Sequence, residues 1–212
     1  EGIISSNPAV GTVSHGLTTG GRAQARAAAT SLIELVGRDH LDSLVFISSD
    51  FLRAKQTAEE CRAAVLRIVN YEREALAEES ETGGKEVYEL SPVGIREELR
   101  ERYFGELDGT ILVNYNKVWP KDLEDGNQDG MGVESVCAVS SRVHELFLGL
   151  EKEYQGASIV LTSHADTLQI MQCHVATADE RLFSQYRFKN GEVRRLLQDP
   201  SSLPPPKPLS YN

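Results

Sequence analysis

The amino-acid sequence predicts an α/β domain, a three-layer sandwich in which helices cover both faces of a mostly parallel central sheet. Two short apolar runs carry this reading, Leu44-Val45-Phe46-Ile47 and Ser158-Ile159-Val160-Leu161-Thr162. Such runs suit strands that are buried on both faces. Each is followed by a segment of helical periodicity, and strands that alternate with helices build parallel sheets. Both runs empty into polar residues, Ser48-Ser49-Asp50 and Ser163-His164-Ala165-Asp166. Ligands bind beyond the carboxyl ends of the strands in such sheets, so these two loops are the first places to look for chemistry.

In chain order, residues 1–17 mix Gly, Ser, Asn and Pro and read as loop. Ala25, Ala28, Ala29, Leu32, Leu35 and Val36 then set a helix over Thr19–Val36. The strand Leu44–Ser48 is followed by a helix over Arg53–Asn70, one face of which is traced by Ala54, Ala58, Cys61, Val65 and Ile68. Glu72–Glu89 is rich in glutamate, contains Gly83-Gly84 and is expected to be a solvated excursion, with a short strand over Val87–Leu90. Val136, Val139, Val143, Leu146, Phe147 and Leu150 set a helix within Glu134–Glu153. The second strand, Ser158–Ser163, leads to a helix through Leu168, Ile170 and Met171, and a last strand is expected over Val193–Leu197. No repeat or linker divides the chain, so residues 1–198 form one domain. Residues 199–212 are a Pro/Ser-rich tail expected to lie extended along the surface. Within it Pro205-Pro206-Lys207-Pro208 has the spacing of a polyproline ligand, although most such tails are inert.

A chain of 212 residues, 40% hydrophobic and 25% charged, has the composition of an ordinary globular domain. Its net charge of −10 argues against nucleic acid as a partner. A few arginines can still make a local positive pocket for an anionic substrate. Cys61, Cys137 and Cys173 are odd in number and include no Cys-x-x-Cys pair. That points to a reducing, cytoplasmic setting without a disulfide framework or structural zinc. No apolar run approaches the roughly 20 residues that span a bilayer, so no membrane is expected as a partner.

Three stretches carry chemistry. Arg53 follows the first strand at a helix start, where its planar fork can grip two phosphate oxygens; the alternative is a solvated arginine in a first helical turn. Leu99-Arg100-Glu101-Arg102-Tyr103-Phe104-Gly105 offers a carboxyl group able to protonate a leaving oxygen, or is plain charged surface. His164 can donate to a developing phosphoryl charge, or be a core histidine satisfied by backbone groups. Gly16-Leu17-Thr18-Thr19-Gly20-Gly21 is not a dinucleotide fingerprint, and no P-loop is present. His164, Cys173 and His174 lack further ligands at a familiar spacing, so neither metal nor cofactor is expected.

Taken together and in this order, the motifs resemble those of the histidine phosphatase superfamily, in its phosphoglycerate mutase-like branch. Leu17-Thr18-Thr19-Gly20-Gly21-Arg22-Ala23-Gln24-Ala25 is similar to the family's helix start, and Ser48-Ser49-Asp50-Phe51-Leu52-Arg53-Ala54-Lys55-Gln56-Thr57-Ala58 to its Ser-Ser-x-x-x-Arg-Ala-x-Gln-Thr-Ala block. Leu99–Gly105 resembles its Leu-x-Glu-Arg-x-x-Gly block. Gly132-Val133-Glu134-Ser135 with Arg142-Val143 resembles its Gly-Glu-Ser…Arg-Val entry with one residue inserted. Ser163-His164-Ala165-Asp166-Thr167 resembles its Ser-His-Gly-Asp block, with Ala165 where glycine is usual. The similarity runs from Leu17 to about Leu196.

The resemblance implies phosphoryl transfer through a phosphohistidine, in two steps. It implies that Arg53 and His164 hold the equatorial oxygens. Glu101 would be the acid for the leaving group and then the base for water, and Arg102 would touch a small phosphorylated substrate. The family's first strand, ending in Arg-His-Gly with the nucleophilic histidine, has no counterpart here; Glu1–Val13 resembles the loop that follows it. Val13-Ser14-His15-Gly16 is not accepted as a substitute, because no apolar strand precedes it and Leu17-Thr18 follows at once. In the family the first strand lies beside the strand that ends at His164, so a slot is expected along Ser158–Thr162. The short Thr110–Met131 segment, where mutases carry a long insertion, favours hydrolysis over mutase transfer. The function expected is therefore a phosphomonoester hydrolase, inactive as these residues stand. The alternatives are a non-catalytic member binding a phosphorylated ligand or protein partner, a mutase-type transferase, and a metal-dependent hydrolase using His164 and Asp166.

Overall fold

The computed structural model describes residues 2–78 and 87–210. Its elements are α1 (Pro8–Gly11), α2 (Thr19–Val36), β1 (Leu44–Ser48), α3 (Leu52–Glu78), β2 (Gly94–Ile95), α4 (Trp119–Glu124), α5 (Val136–Glu153), β3 (Ser158–Thr162) and α6 (Ala165–Val175), with 3-10 turns between them. The sheet order is β2-β1-β3 and every pairing is parallel. Leu44–Ser48 pairs residue for residue with Ser158–Thr162, while Ile47 and Ser48 pair with Gly94 and Ile95.

Strand side chains alternate between faces, and here the alternation divides the core in two. Leu44, Phe46 and Val160 point into a cluster with Ala28, Ala29 and Leu32 of α2 and Cys61, Ala64 and Val65 of α3. Val45, Ile47, Ile159 and Leu161 point the other way, against Val139, Val143 and Leu146 of α5 and Ile170 and Met171 of α6. The expected three-layer sandwich is what these residues build. Small side chains at Ala25, Ala28 and Ala29 let α2 approach α3, and Arg22 and Arg26 both reach Glu60 at 2.8 Å across the seam. Two side-chain caps fix helix starts: Thr18 Oγ1 accepts from Gly21 N at 3.1 Å, and Ser135 Oγ from Ala138 N at 3.1 Å.

Three expectations need correction. The second long helix runs on to Glu78, so Glu72–Glu78 is helix rather than a solvated excursion; Arg38–Glu72 and Arg73–Asp42 tie it to the turn before β1. Residues 79–86, including Gly83-Gly84, lie outside the described residues. Val87–Leu90 is not a strand. The backbone of Tyr88 is satisfied by the Asn70 amide, which donates to Tyr88 O at 3.0 Å and accepts from Tyr88 N at 2.7 Å. Strand pairing falls instead on Gly94-Ile95, too short to show a period. Val193–Leu197 is extended but unpaired; its carbonyl and guanidinium neighbours are engaged locally, with Arg194 donating to Tyr186 O and Arg187 O at 3.1 and 2.7 Å. The tail is docked as well as extended: Lys207 N donates to Gln185 O at 2.8 Å and Leu209 packs on the larger core.

Among the described residues β3 is an edge of the sheet, and all five of its residues are only partly buried, whereas β1 is buried at four of five. No helix among the described residues is long and apolar enough to cross a membrane.

Candidate active site

Because β1 and β3 are parallel neighbours in register, with Ser48 opposite Thr162, the loops leaving them lie side by side. Ser49 N donates to Thr162 O at 3.0 Å, and His164 Nε2 lies 3.0 Å from Ser49 Oγ. Ser49 Oγ also accepts from Phe51 N at 3.3 Å. His164 is buried, and its pKa lies well below the usual histidine value because of burial, then the charges of Arg53 and Arg142. It is a neutral imidazole at physiological pH.

Phe51 links the two loops. Its ring meets His164 edge-on at 4.9 Å, and Arg53 Cζ stands 5.0 Å from its centroid on the first turn of α3. Burial lowers the Arg53 pKa, and the negative charge of Glu101 is the largest influence opposing it. The Arg53 guanidinium donates to Ser5 O at 2.8 Å. The segment that carries Ser5 is anchored by Asp108, whose Oδ1 accepts from Ser6 N at 2.6 Å, Ser6 Oγ at 2.8 Å and Asn7 N at 3.1 Å.

Glu101 comes from a loop without strand or helix, and its position is set by side chains. Arg142 of α5 donates to Glu98 O and, at 3.1 Å, to Arg100 O, while it holds Glu134 at 2.8 Å. Ser163 Oγ donates to Leu99 O at 2.6 Å and Thr167 Oγ1 to Arg100 O at 2.8 Å. Arg100 grips Asp50 through Nε at 2.9 Å and Nη2 at 2.5 Å, which joins this loop to the one that carries Phe51. Glu101 Oε1 then accepts from Arg102 N at 3.0 Å and Thr167 N at 3.4 Å. Its pKa is raised, chiefly by burial and in spite of Arg53. A carboxyl raised in this way keeps its proton to higher pH than a solvated glutamate, as an acid catalyst must.

Gly105 closes the same loop at φ +51°, where an added Cβ would lie 2.2 Å from Met131 O and 2.5 Å from the Gly132 carbonyl carbon. Gly105→Ala should therefore cost about 2 kcal/mol or more, read as a lower midpoint in thermal or urea unfolding.

Arg53, Glu101 and His164 thus belong to one charged and aromatic cluster at the C-terminal end of the sheet. The Arg53 guanidinium is engaged by Ser5, and cavities of about 280 and 320 Å³ lie beside Gln172 and Arg195 and beside Asp42 and Gly156. One part of the sequence expectation changes. Arg102 is fully buried and offers no donor to a substrate. Its Nη1 and Nη2 each donate to Asp122 at 2.7 Å, its Nε donates to Glu134 O at 2.6 Å, and Phe104 and Phe183 lie against its guanidinium. It anchors the loop that bears Glu101. Ser49, Phe51, Arg142 and Thr167 are part of the site although sequence reasoning gave them no role. Each sits inside a motif block, and only the fold shows which atoms they touch.

His15 is exposed in a loop at φ +58°, with no strand before it. His164 and Asp166 face different neighbours, Ser49 and Trp119, so they do not converge on one ion. No group of three metal-ligating side chains is found among the described residues.

Solved structures similar to this chain share its fold. A mycobacterial glucosyl-3-phosphoglycerate phosphatase matches with 21% identity and a TM-score of 0.61 over 89% of this chain and 80% of its own. A second mycobacterial hydrolase matches with 20% identity and a TM-score of 0.61, over 90% and 76%. The α-ribazole phosphatase of Shigella flexneri matches with 21% identity and a TM-score of 0.56, over 100% and 91%. No curated protein matches the chain. The family profile described as histidine phosphatase superfamily (branch 1) matches residues 6–83 and 82–203. With that match over nearly its whole length, the chain belongs to the histidine phosphatase superfamily.

Proposed function

We propose that the protein is a phosphomonoesterase acting on a small phosphorylated substrate through a phosphohistidine, with the nucleophile supplied from outside these 212 residues. The observation that carries this is the meeting of a cation, a neutral imidazole and a proton-holding carboxyl at the ends of β1 and β3. Arg53 would release Ser5 and grip two phosphoryl oxygens, and His164 would donate a ring N–H to the charge that develops in the transition state. Glu101 would protonate the leaving oxygen and then take the proton of the attacking water. Arg102 supports the site from beneath.

Hydrolysis fits better than mutase transfer. The Thr110–Met131 segment is short and is built into the core through Tyr115, Val118 and Trp119. A non-catalytic phosphate-binding member is the second reading, favoured by one observation: these residues include no Arg-His-Gly block.

In protein that carries the family's Arg-His-Gly strand, Arg53→Ala and His164→Ala should each lower kcat by about 10²–10³. Glu101→Gln should cost about 10²–10⁴ on an alkyl phosphate and far less on an aryl phosphate with a good leaving group. Equal losses on both substrates would remove Glu101 from the acid role. Unchanged phosphate binding with no turnover in any form would favour the second reading.

A further inference from the structure

Ten residues beyond His164, about 15 Å along α6 at 1.5 Å per residue, stands a histidine pair that this mechanism does not use. His174, in the last turn of α6, presents Nε2 to Nδ1 of His144 on α5 at 3.2 Å, with the ring centroids 5.3 Å apart. The other nitrogen of His174 is taken. Its Nδ1 lies 2.7 Å from Glu180 Oε1, which also accepts from Ser140 Oγ at 2.7 Å. A carboxylate only accepts, so the ring proton of His174 sits on Nδ1 and the lone pair of Nε2 faces His144. Thr177, at φ +56°, lies in the turn that returns Glu180 to His174. His174 and Glu180 are partly buried, while His144 is exposed. Sequence spacing set His174 against Cys173 and His164; the fold gives it His144 instead, 30 residues away in the chain.

We infer that His144 and His174 form a two-histidine site for a divalent transition metal of the zinc, copper or nickel class. Imidazole nitrogen suits these ions, whereas calcium and magnesium take oxygen. Two nitrogens bound to one ion at about 2.0 Å with a tetrahedral angle stand about 3.3 Å apart. The observed gap is 3.2 Å. A metal-ligating histidine typically donates its other ring N–H to a carboxylate, which fixes its tautomer and the direction of its lone pair. Glu180 does this for His174. Without metal the same two nitrogens share a hydrogen bond in which His144 donates, and the rings are held ready. On binding, the His144 proton moves from Nδ1 to Nε2 through solvent, which its exposure allows, and both lone pairs then point at the ion. No group of three metal-ligating side chains is found among the described residues, so water fills the remaining positions. The ion would tie α5 to α6. Arg142 of α5 and Thr167 of α6 donate to the same carbonyl, Arg100 O, at 3.1 and 2.8 Å, so the clip joins the two helices that hold the Glu101 loop.

The test reads binding without turnover, so its outcome is independent of the phosphatase reading. Calorimetric titration of the full protein with Zn²⁺, Ni²⁺ or Cu²⁺ should show uptake of one ion, with Cu²⁺ held tightest. Tm should rise with the concentration of each, and Mg²⁺ and Ca²⁺ should do neither. Acidification should release the ion, because protons compete for the same nitrogens. His144→Ala, a change at an exposed position, should abolish uptake. Glu180→Ala should weaken it by about 10–100-fold. Glu180→Gln, whose amide oxygen still accepts from Nδ1, should restore most of that loss, which a merely structural role for Glu180 would not require. Absence of uptake in the unaltered protein would overturn the site. So would uptake unchanged in His144→Ala, or uptake lost in Cys137→Ser, which would place the ion on a thiol.

Discussion

Purified residues 1–212 should hydrolyse an aryl phosphate no faster than a nucleophile knockout of a working relative would, which is a small residue of the catalysed rate. The positions of the five histidines lead to this result. His15 is exposed in a loop, and His40 lies in the turn before β1, at the opposite end of the sheet from the site. His144 and His174 face each other at 3.2 Å, and His174 is further held by Glu180 at 2.7 Å. His164 is bonded to Ser49. The parallel edge of β3 offers the place for a further strand, and a nucleophile at that strand's C-terminal end would emerge beside His164. Robust turnover lost in His15→Ala would make His15 the nucleophile. Turnover that survives His15→Ala and vanishes in His164→Ala would point to a one-histidine or metal-assisted route.

The second large effect is on stability. Asp122→Ala should destabilise the domain by about 3–5 kcal/mol and lower Tm by roughly 10 °C. The Arg102–Asp122 pair is fully buried on both sides, and the change strands a guanidinium whose other acidic neighbour, Asp166, is 3.6 Å away. Arg102→Lys should also destabilise, because an ammonium cannot make the two parallel bonds. Asp42→Ala, which breaks an exposed pair with Arg73, should leave Tm almost unchanged and serves as the control. A loss below about 1 kcal/mol in Asp122→Ala would mean that the buried pair is not closed in solution.

The legible parts of the fold are those with period or punctuation. β1, β3, α2 and α5 announce themselves by apolar runs and by the helical spacing of their apolar residues. The two residues of β2 carry no period. Tyr88 reads as strand from its neighbours alone, until Asn70 on α3 is seen to satisfy its backbone. The extension of α3 to Glu78 was hidden because a glutamate-rich helix surface and a solvated loop share a composition. At the site, Arg53 and His164 each follow an apolar run that reads as a strand, whereas Glu101 was singled out through the resemblance of its Leu-x-Glu-Arg-x-x-Gly block. The role of Arg102 was not legible, since a substrate arginine and a buried anchor look alike until the position of Asp122, twenty residues on, is known.

The central claim is that Arg53, Glu101 and His164 hold a phosphoryl group for attack by a histidine on a strand beside β3. Its most direct test is to trap that group. Protein carrying the Arg-His-Gly strand, mixed briefly with a labelled phosphomonoester and quenched in base, should retain the label on the histidine of that strand, and Arg53→Ala should abolish the adduct. Label found on His164 or His15, or rapid turnover with no base-stable adduct, would contradict the account.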